Sequence, residues 1–342
     1  MKTIEIHGQT GTSEIAVGES LENLEKYTGG TKKIIITDEN LNRFYHKRFP
    51  PWDIIEIGTG EKIKTLETVE YIFKKLVELE IDRSCFIVGV GGGIVCDITG
   101  FAASTFMRGL PFGFVSTSLL SQVDAGVGGK NGVNFYGYKN MIGLFNQPNF
   151  VICDPGMLKT LPHKELLSGF AEVVKHAAIG SRELFAFLEK NFKKALALDG
   201  ETLEKLVCES VTIKADVVRI DEKEKGERRK LNFGHTLGHA LEKTAGLPHG
   251  EAVSLGMVFA AALSVKRNKL PLSEAERIRD LLEQIGLPTE ISLDKEKILD
   301  ALKKDKKREG DGLHFVLLES IGQAIIEKIP FQELEMAIHD LY

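Results

Sequence analysis

A chain of 342 residues is long enough for two hydrophobic cores, because single cores stop growing at about 250–300 residues. Its 43% hydrophobic and 27% charged content is that of a globular protein, and a net charge of −5 argues against a nucleic-acid partner. The longest apolar runs, such as LGMVFAAALSV, are shorter than the ~20 residues that span a bilayer, which argues against a membrane partner.

In chain order, MKTIEIHGQTGTSEI alternates like a strand and lacks the apolar core of a signal peptide. KKIIIT (Lys32–Thr37) reads as a buried strand ending at Asp38, and DIIEIG (Asp53–Gly58) as another. TLETVEYIFKKLVELEI has helical periodicity, and CFIVGVGGG is an apolar strand running into glycines. FGFVSTS (Phe112–Ser118) and NFVICDP (Asn149–Pro155) are further strands. This β-α alternation predicts a doubly wound α/β domain, with a mostly parallel sheet, over residues 1–155. From about Gly156 the patterns turn helical: ELLSGFAEVVKHAAI, ETLEKLVCESVTIKADVVRI and SEAERIRDLLEQIG. Near the end, GLHFVLLESIGQAIIEKI predicts a short hairpin inside a mainly helical domain, residues 156–342. A cleft between the two is the expected place for a ligand. The four cysteines (Cys85, Cys96, Cys153 and Cys208) show no paired spacing, as expected of reduced thiols in the cytoplasm.

Three stretches carry chemistry. In GVGGGIVCDITGFAAS a strand runs through three glycines into a helix, and backbone amides at such a turn hold a pyrophosphate. It departs from GxGxxG, since counting from Gly91 and Gly93 puts Cys96 at the third glycine position. Asp38, at its strand end, suits either a ribose hydroxyl or a plain helix cap. Next, STSLLSQVDAGVGGKNGVNFYGYKNMIGLFNQP sets Asp124, Lys130, Lys139 and Asn140 among many glycines, which predicts an extended loop whose lysines meet phosphate or carboxylate. Lastly, NFGHTLGHALEKTAGLPHGE holds His235, His239 and His249. His235 and His239 share one helical face, and His249 follows a Gly-Leu-Pro turn. Imidazoles this close are natural zinc ligands, and a catalytic site adds a third protein ligand from elsewhere in the chain.

Several of these stretches together resemble one family. GGGIVCD (Gly91–Asp97), ASTFMRG (Ala103–Gly109), VDAGVGGKNGVN (Val123–Asn134), YKNMIGLFNQP (Tyr138–Pro148), FAEVVKH (Phe170–His176), LNFGHTLGHALE (Leu231–Glu242) and HGEAV (His249–Val253) resemble 3-dehydroquinate synthases, in order and over nearly the whole chain. The resemblance implies an enzyme that converts 3-deoxy-arabino-heptulosonate 7-phosphate to 3-dehydroquinate and phosphate. The implied route is transient oxidation by NAD, phosphate elimination, reduction, ring opening and an intramolecular aldol. It implies Zn2+ or Co2+ held by Glu172, His235 and His249, with His239 left for proton transfer; on spacing alone His176 competes for the metal. Implied substrate residues are Lys130, Asn140, Lys175, Lys214, Arg228 and Asn232, with Asp124 and Lys139 at the cofactor–substrate junction. Arg108 and either Lys306 or Lys307 correspond to phosphate ligands, Arg108 from across a homodimer. Glu224 lies in the acidic segment DEKEKGERR, which by itself reads as a solvated charged loop. Implied NAD positions are Asp38, Glu61, Lys64, Gly92, Gly93, Asp97, Thr117, Ser118, Lys130, Lys139 and Thr160. Cys96 departs from the small residue, frequently glycine, of relatives. Another sugar phosphate cyclase, or a metal-dependent polyol dehydrogenase of related fold, is the rival reading; the dehydrogenase leaves the surplus of anion-binding cations unexplained.

Overall fold

The computed structural model describes residues 1–29, 32–291, 295–303, 308–309 and 312–341. The chain forms two compact units, Met1–Pro162 with Leu203–Lys223, and His163–Thr202 with Glu224–Tyr342.

The first unit opens with a hairpin, β1 (Lys2–Gly8) and β2 (Gly11–Val17), in place of the single N-terminal strand that the alternation suggests. Then follow β3 (Lys33–Asp38), the short helix α1 (Glu39–Tyr45), β4 (Asp53–Ile57), α2 (Leu66–Glu78), β5 (Phe86–Gly91), α3 (Gly93–Thr105) and β6 (Phe112–Ser116). The antiparallel pair β7 (Lys130–Phe135) and β8 (Tyr138–Phe145) precedes β9 (Phe150–Cys153). The sheet order is β1-β2-β9-β6-β5-β3-β4, parallel throughout except for β1 against β2. Strands β5, β6 and β9 are buried along their whole length, which is why they read as unbroken apolar runs rather than alternating ones. Phe86 stacks on Phe150, with centroids 5.7 Å apart, in a core that includes Leu24, Val88, Val115 and Ile152.

The glycine-rich stretch expected as an extended loop is instead a π-helical turn (Ser121–Ala125) followed by the β7–β8 hairpin. Tyr136 and Gly137 at its tip have φ of 46° and 76°, the left-handed pair that a tight two-residue hairpin turn demands. Gly132 and Gly143 face each other across the pair. A Cβ on Gly143 would lie 2.4 Å from the Asn131 carbonyl, so these glycines permit close pairing rather than looseness.

After Pro162 come α4 (His163–Gly180) and α5 (Arg182–Leu196) of the second unit, and then α6 (Gly200–Ile220), most of which belongs to the first. Helical periodicity fixes α6 as a helix but not the core it serves. Within the first unit its end is tied by Glu222, only 6% exposed. The carboxylate accepts from the Gln9 amide at 2.7 Å, from Thr10 Oγ1 at 2.5 Å and from Gln147 Nε2 at 2.8 Å. Burial alone would raise the Glu222 carboxyl, but these hydrogen bonds outweigh it and hold it below the usual range. Glu222→Gln turns one acceptor towards donors and is expected to cost about 1–3 kcal/mol. A depressed carboxyl contributes its stability above the unfolded value of about 4.3 and loses it as pH falls through the folded value. Thermal melts should therefore show a wild-type advantage at neutral pH that closes in acid; a gap that persists in acid would mean the loss is steric.

The second unit continues with α7 (His235–Ala245), α8 (His249–Lys266), α9 (Leu272–Ile285) and α10 (Lys295–Lys303). Strands β10 (Arg308–Glu309), β11 (Gly312–Ser320) and β12 (Gln323–Pro330) form an antiparallel sheet, and α11 (Phe331–Leu341) closes the chain. The expected terminal hairpin is β11–β12, with β10 added at its edge. Leu237, Leu241, Leu255, Phe259, Leu263, Phe315, Leu317 and Ile329 share one core. Helix α8 is apolar nearly all round because it is buried on most sides. Among the described residues, no helix is long and apolar enough to cross a membrane.

Candidate metal centre and nucleotide cradle

The second unit brings three predicted ligands together. Glu172 lies in α4, fully buried; His235 is the first residue of α7 and His249 the first of α8. What joins the two histidines is the close approach of their helices. A Cβ on Gly256 would sit 1.8 Å from the Gly234 carbonyl, and Gly234 itself has φ of 77°, so only glycine fits that contact. One ligand atom from each of Glu172, His235 and His249 lies within 4.8 Å of the others. Glu172 Oε1 is 3.4 Å from His235 Nε2 and 3.1 Å from His249 Nε2, while Oε2 meets the buried Lys175 ammonium.

The donor set suits a divalent cation. His235 Nδ1 is 3.1 Å from the Phe233 carbonyl and His249 Nδ1 is 2.7 Å from Glu242 Oε1, so each ring donates from Nδ1 and turns Nε2 to the carboxylate. Burial holds His235 well below the ordinary imidazole value, and therefore neutral. His249 is raised to about 10: burial opposes its charge, but the hydrogen bonds its ring donates to Glu172 and Glu242 override it. Two imidazoles and one carboxylate are a catalytic zinc-type set with room left for substrate oxygens.

His235 and His239, which helical spacing places together, meet edge to face, with ring centroids 5.4 Å apart. His239 is exposed and His235 only 8% so. His176, one turn beyond Glu172, is fully buried in α4. Just before α7, Arg228 is 2% exposed and Asn232 Nδ2 donates to Glu224 Oε1 at 2.6 Å. Glu224 thus has a specific partner, which its charged surroundings in sequence concealed. Lys306 and Lys307 lie outside the described residues.

In the first unit the predicted cofactor residues gather at the carboxyl ends of the parallel strands. Asp38 ends β3, Gly92 and Gly93 follow β5, and Thr117 and Ser118 follow β6. The connection from β3 runs outward to β4 and then back to β5, so the ends of β3 and β5 flank the point where strand order reverses, where such sheets bind ligands. Gly92 is the N-cap of α3, with no side-chain cap, and a Cβ on Gly93 would come within 2.7 Å of Ala125. Thr117 donates its amide to the Gly91 carbonyl at 3.0 Å. The Cys96 side chain turns into the core, where its thiol donates to the Gly91 carbonyl at 3.7 Å and burial pushes it up to about 12. Asp38 caps α1 through the Leu41 amide at 3.0 Å, and Thr160 shares a 2.8 Å hydrogen bond with Tyr45.

A second layer joins four predicted positions. Lys64 pairs with Asp97 and donates to Asn140 Oδ1 at 2.6 Å. The Asn140 amide donates to Asn134, which reaches Glu61 at 2.7 Å. Sequence reading missed Asn134, whose role appears only once β7 and β8 pair. Lys214, 5% exposed, pairs with the Asp124 carboxylate and donates to the Asp124 carbonyl at 2.6 Å. Lys130 and Lys139 are exposed on the β7–β8 hairpin. Arg108 is exposed at a turn where Met107, Arg108 and Gly109 have φ of 52°, 70° and 120°.

Solved structures with the same fold define the class. A 2-deoxy-scyllo-inosose synthase complexed with carbaglucose-6-phosphate, NAD+ and Co2+ is 28% identical, with a TM-score of 0.89, over 99% of this chain and 100% of that one. The 2-epi-5-epi-valiolone synthase of Streptomyces hygroscopicus subsp. jinggangensis, with NAD+ and Zn2+ bound, is 26% identical over 96% of each chain, with a TM-score of 0.88. The fold is that of the sugar phosphate cyclases. The 3-dehydroquinate synthase N-terminal model matches residues 54–168 and the C-terminal model residues 169–308. A 3-dehydroquinate synthase from Dehalococcoides mccartyi strain CBDB1 is 42% identical over 304 residues, 86% of this chain and 85% of its own. The chain belongs to the 3-dehydroquinate synthase family.

Proposed function

We propose that this chain converts 3-deoxy-arabino-heptulosonate 7-phosphate to 3-dehydroquinate and phosphate. The observation that carries this reading is the convergence of Glu172, His235 and His249 in a chain of this family. Glu172, His235 and His249 would hold Zn2+ or Co2+, and the Gly92–Gly93 turn with Asp38, Thr117 and Ser118 would hold NAD. When bound, the metal supplies Lewis-acid polarisation of substrate oxygens, and NAD supplies a hydride acceptor that is regenerated within each turnover.

The chain's own residues bind, orient and move protons. Lys130, Lys175, Lys214 and Arg228 supply cations for a substrate that carries both a phosphate and a carboxylate, and Asn140 and Asn232 hydrogen-bond its oxygens. Asp124 and Lys139 lie at the cofactor–substrate junction, with Glu224 orienting Asn232. Lys64, Glu61 and Asp97 brace Asn140 beside the cofactor, and Thr160 joins the cofactor set. His239, exposed beside His235 and outside the metal set, is suited to exchange protons with substrate hydroxyls. Arg108 would reach phosphate across a homodimer, and the enzyme would work in the cytoplasm.

The test is phosphate release from the heptulosonate phosphate with substoichiometric NAD and added Zn2+ or Co2+, with NADH absorbance followed in parallel. Many phosphates per NAD, with dehydroquinate formed and no NADH accumulating, is the expected result. Stoichiometric NADH without phosphate would identify a dehydrogenase instead. Turnover of a different sugar phosphate alone would keep the cyclase chemistry and discard the substrate.

A further inference from the structure

The two histidines of the metal centre are held from behind in different ways. His235 Nδ1 faces a neutral backbone carbonyl, that of Phe233. His249 Nδ1 faces the carboxylate of Glu242, at 2.7 Å. Glu242 stands near the end of α7 and His249 opens α8, with Gly246, at φ of 65°, and Pro248 turning the chain between them. The Glu242 side chain is only 8% exposed and that of His249 30%. The imidazole is thus fixed at both nitrogens, by Glu242 on Nδ1 and by Glu172 at 3.1 Å on Nε2.

We propose that Glu242 is a positioning residue of the metal centre, which sets the tautomer and ring angle of His249 and strengthens its Nε2 as a ligand. The proposal rests on the metal centre described above. An ionised carboxylate can only accept, so Nδ1 must donate, and Nε2 is the nitrogen offered to a cation. A carboxylate behind the ring makes Nε2 a stronger donor to the metal than a carbonyl does. It also fixes the ring, since His249 is the more exposed of the two histidine ligands and lies beside a turn. Glu242 touches neither substrate nor cofactor in this reading; it acts through His249.

The test is metal affinity rather than turnover. Wild type, Glu242→Gln and Glu242→Ala are stripped with a chelator and titrated with Zn2+, and with Co2+ while its visible absorption is recorded. Glu242→Ala should bind about 10- to 100-fold more weakly, with an altered Co2+ spectrum. Glu242→Gln keeps an acceptor for Nδ1 but not the charge, so it should lose less, and saturating metal should restore its turnover. If the alanine variant does not fold, by circular dichroism of the stripped protein, the glutamine variant carries the test. Equal affinity and identical Co2+ spectra in wild type and the folded variants would overturn the role of Glu242 alone. A wild type that binds neither metal would overturn the centre itself and this role with it.

Discussion

His235→Ala is expected to remove bound metal and turnover together. His235 is the cleanest ligand to delete because burial keeps it neutral, so its loss leaves no charge stranded. Deleting Glu172 would instead leave the buried Lys175 ammonium without its carboxylate, and a fall in activity would then be confounded with loss of fold. A Lewis acid contributes several kcal/mol to a reaction of this kind. At about 1.36 kcal/mol per tenfold, losing some 4 kcal/mol predicts a rate lower by about 10³-fold. Metal content after dialysis and turnover on the same sample check this, and full metal occupancy in the variant would refute the ligand set. His239→Ala makes the informative contrast. It should keep the metal and lose about 10²–10⁴-fold in rate, the usual contribution of a positioned proton-transfer group.

The second large effect is expected at Lys214. Its ammonium is buried between the carboxylate and the carbonyl of Asp124, so Lys214→Met keeps the aliphatic stem but removes the partner of a three-quarters-buried carboxylate. Breaking such a pair costs about 3 kcal/mol, and the proposed loss of a substrate-binding cation adds a drop in kcat/KM of about 100-fold. Asp124→Asn separates the two contributions. It leaves the cation in place, so it should destabilise similarly while costing less in kcat/KM. Urea unfolding and steady-state kinetics on both variants decide the matter. A Lys214→Met protein with wild-type kinetics would remove Lys214 from the substrate set.

Much of this was legible in sequence because burial writes itself into composition. Strands β3, β5 and β9 are apolar runs because they are buried along most or all of their length, and the turn after β5 is written in glycine because Gly93 packs against Ala125. Strand β8, YKNMIGLF, was not legible: it is mostly exposed, so no alternation marks it, and Gly143 within it looks like loop. Nor does any local pattern say that Glu172 lies beside His249, 77 positions away; that adjacency comes from α4 packing on α8, where a Cβ on Gly250 would sit 2.4 Å from Ser168 Cα and the Gly250 amide donates to Ser168 Oγ at 3.2 Å. The resemblance supplied Glu172 where spacing could not, but it was silent on Glu242 and Asn134, whose partners are visible only in three dimensions.

The placement of α6 has a consequence for synthesis on the ribosome. Leu203, Leu206, Val207, Val211, Ala215 and Val218 are buried along a helix of the first unit, yet they are translated after two helices of the second. A nascent chain that has emerged only as far as Pro162 therefore holds an unfinished sheet domain, short of both Lys214 and Glu222. Domains made of contiguous sequence can fold one after another as they emerge; here the first must wait for residue 223, with α4 and α5 already outside. A fragment ending at Pro162 should accordingly be recovered as insoluble protein, whereas one extended to Lys223 holds every residue of the first unit and should be recovered soluble.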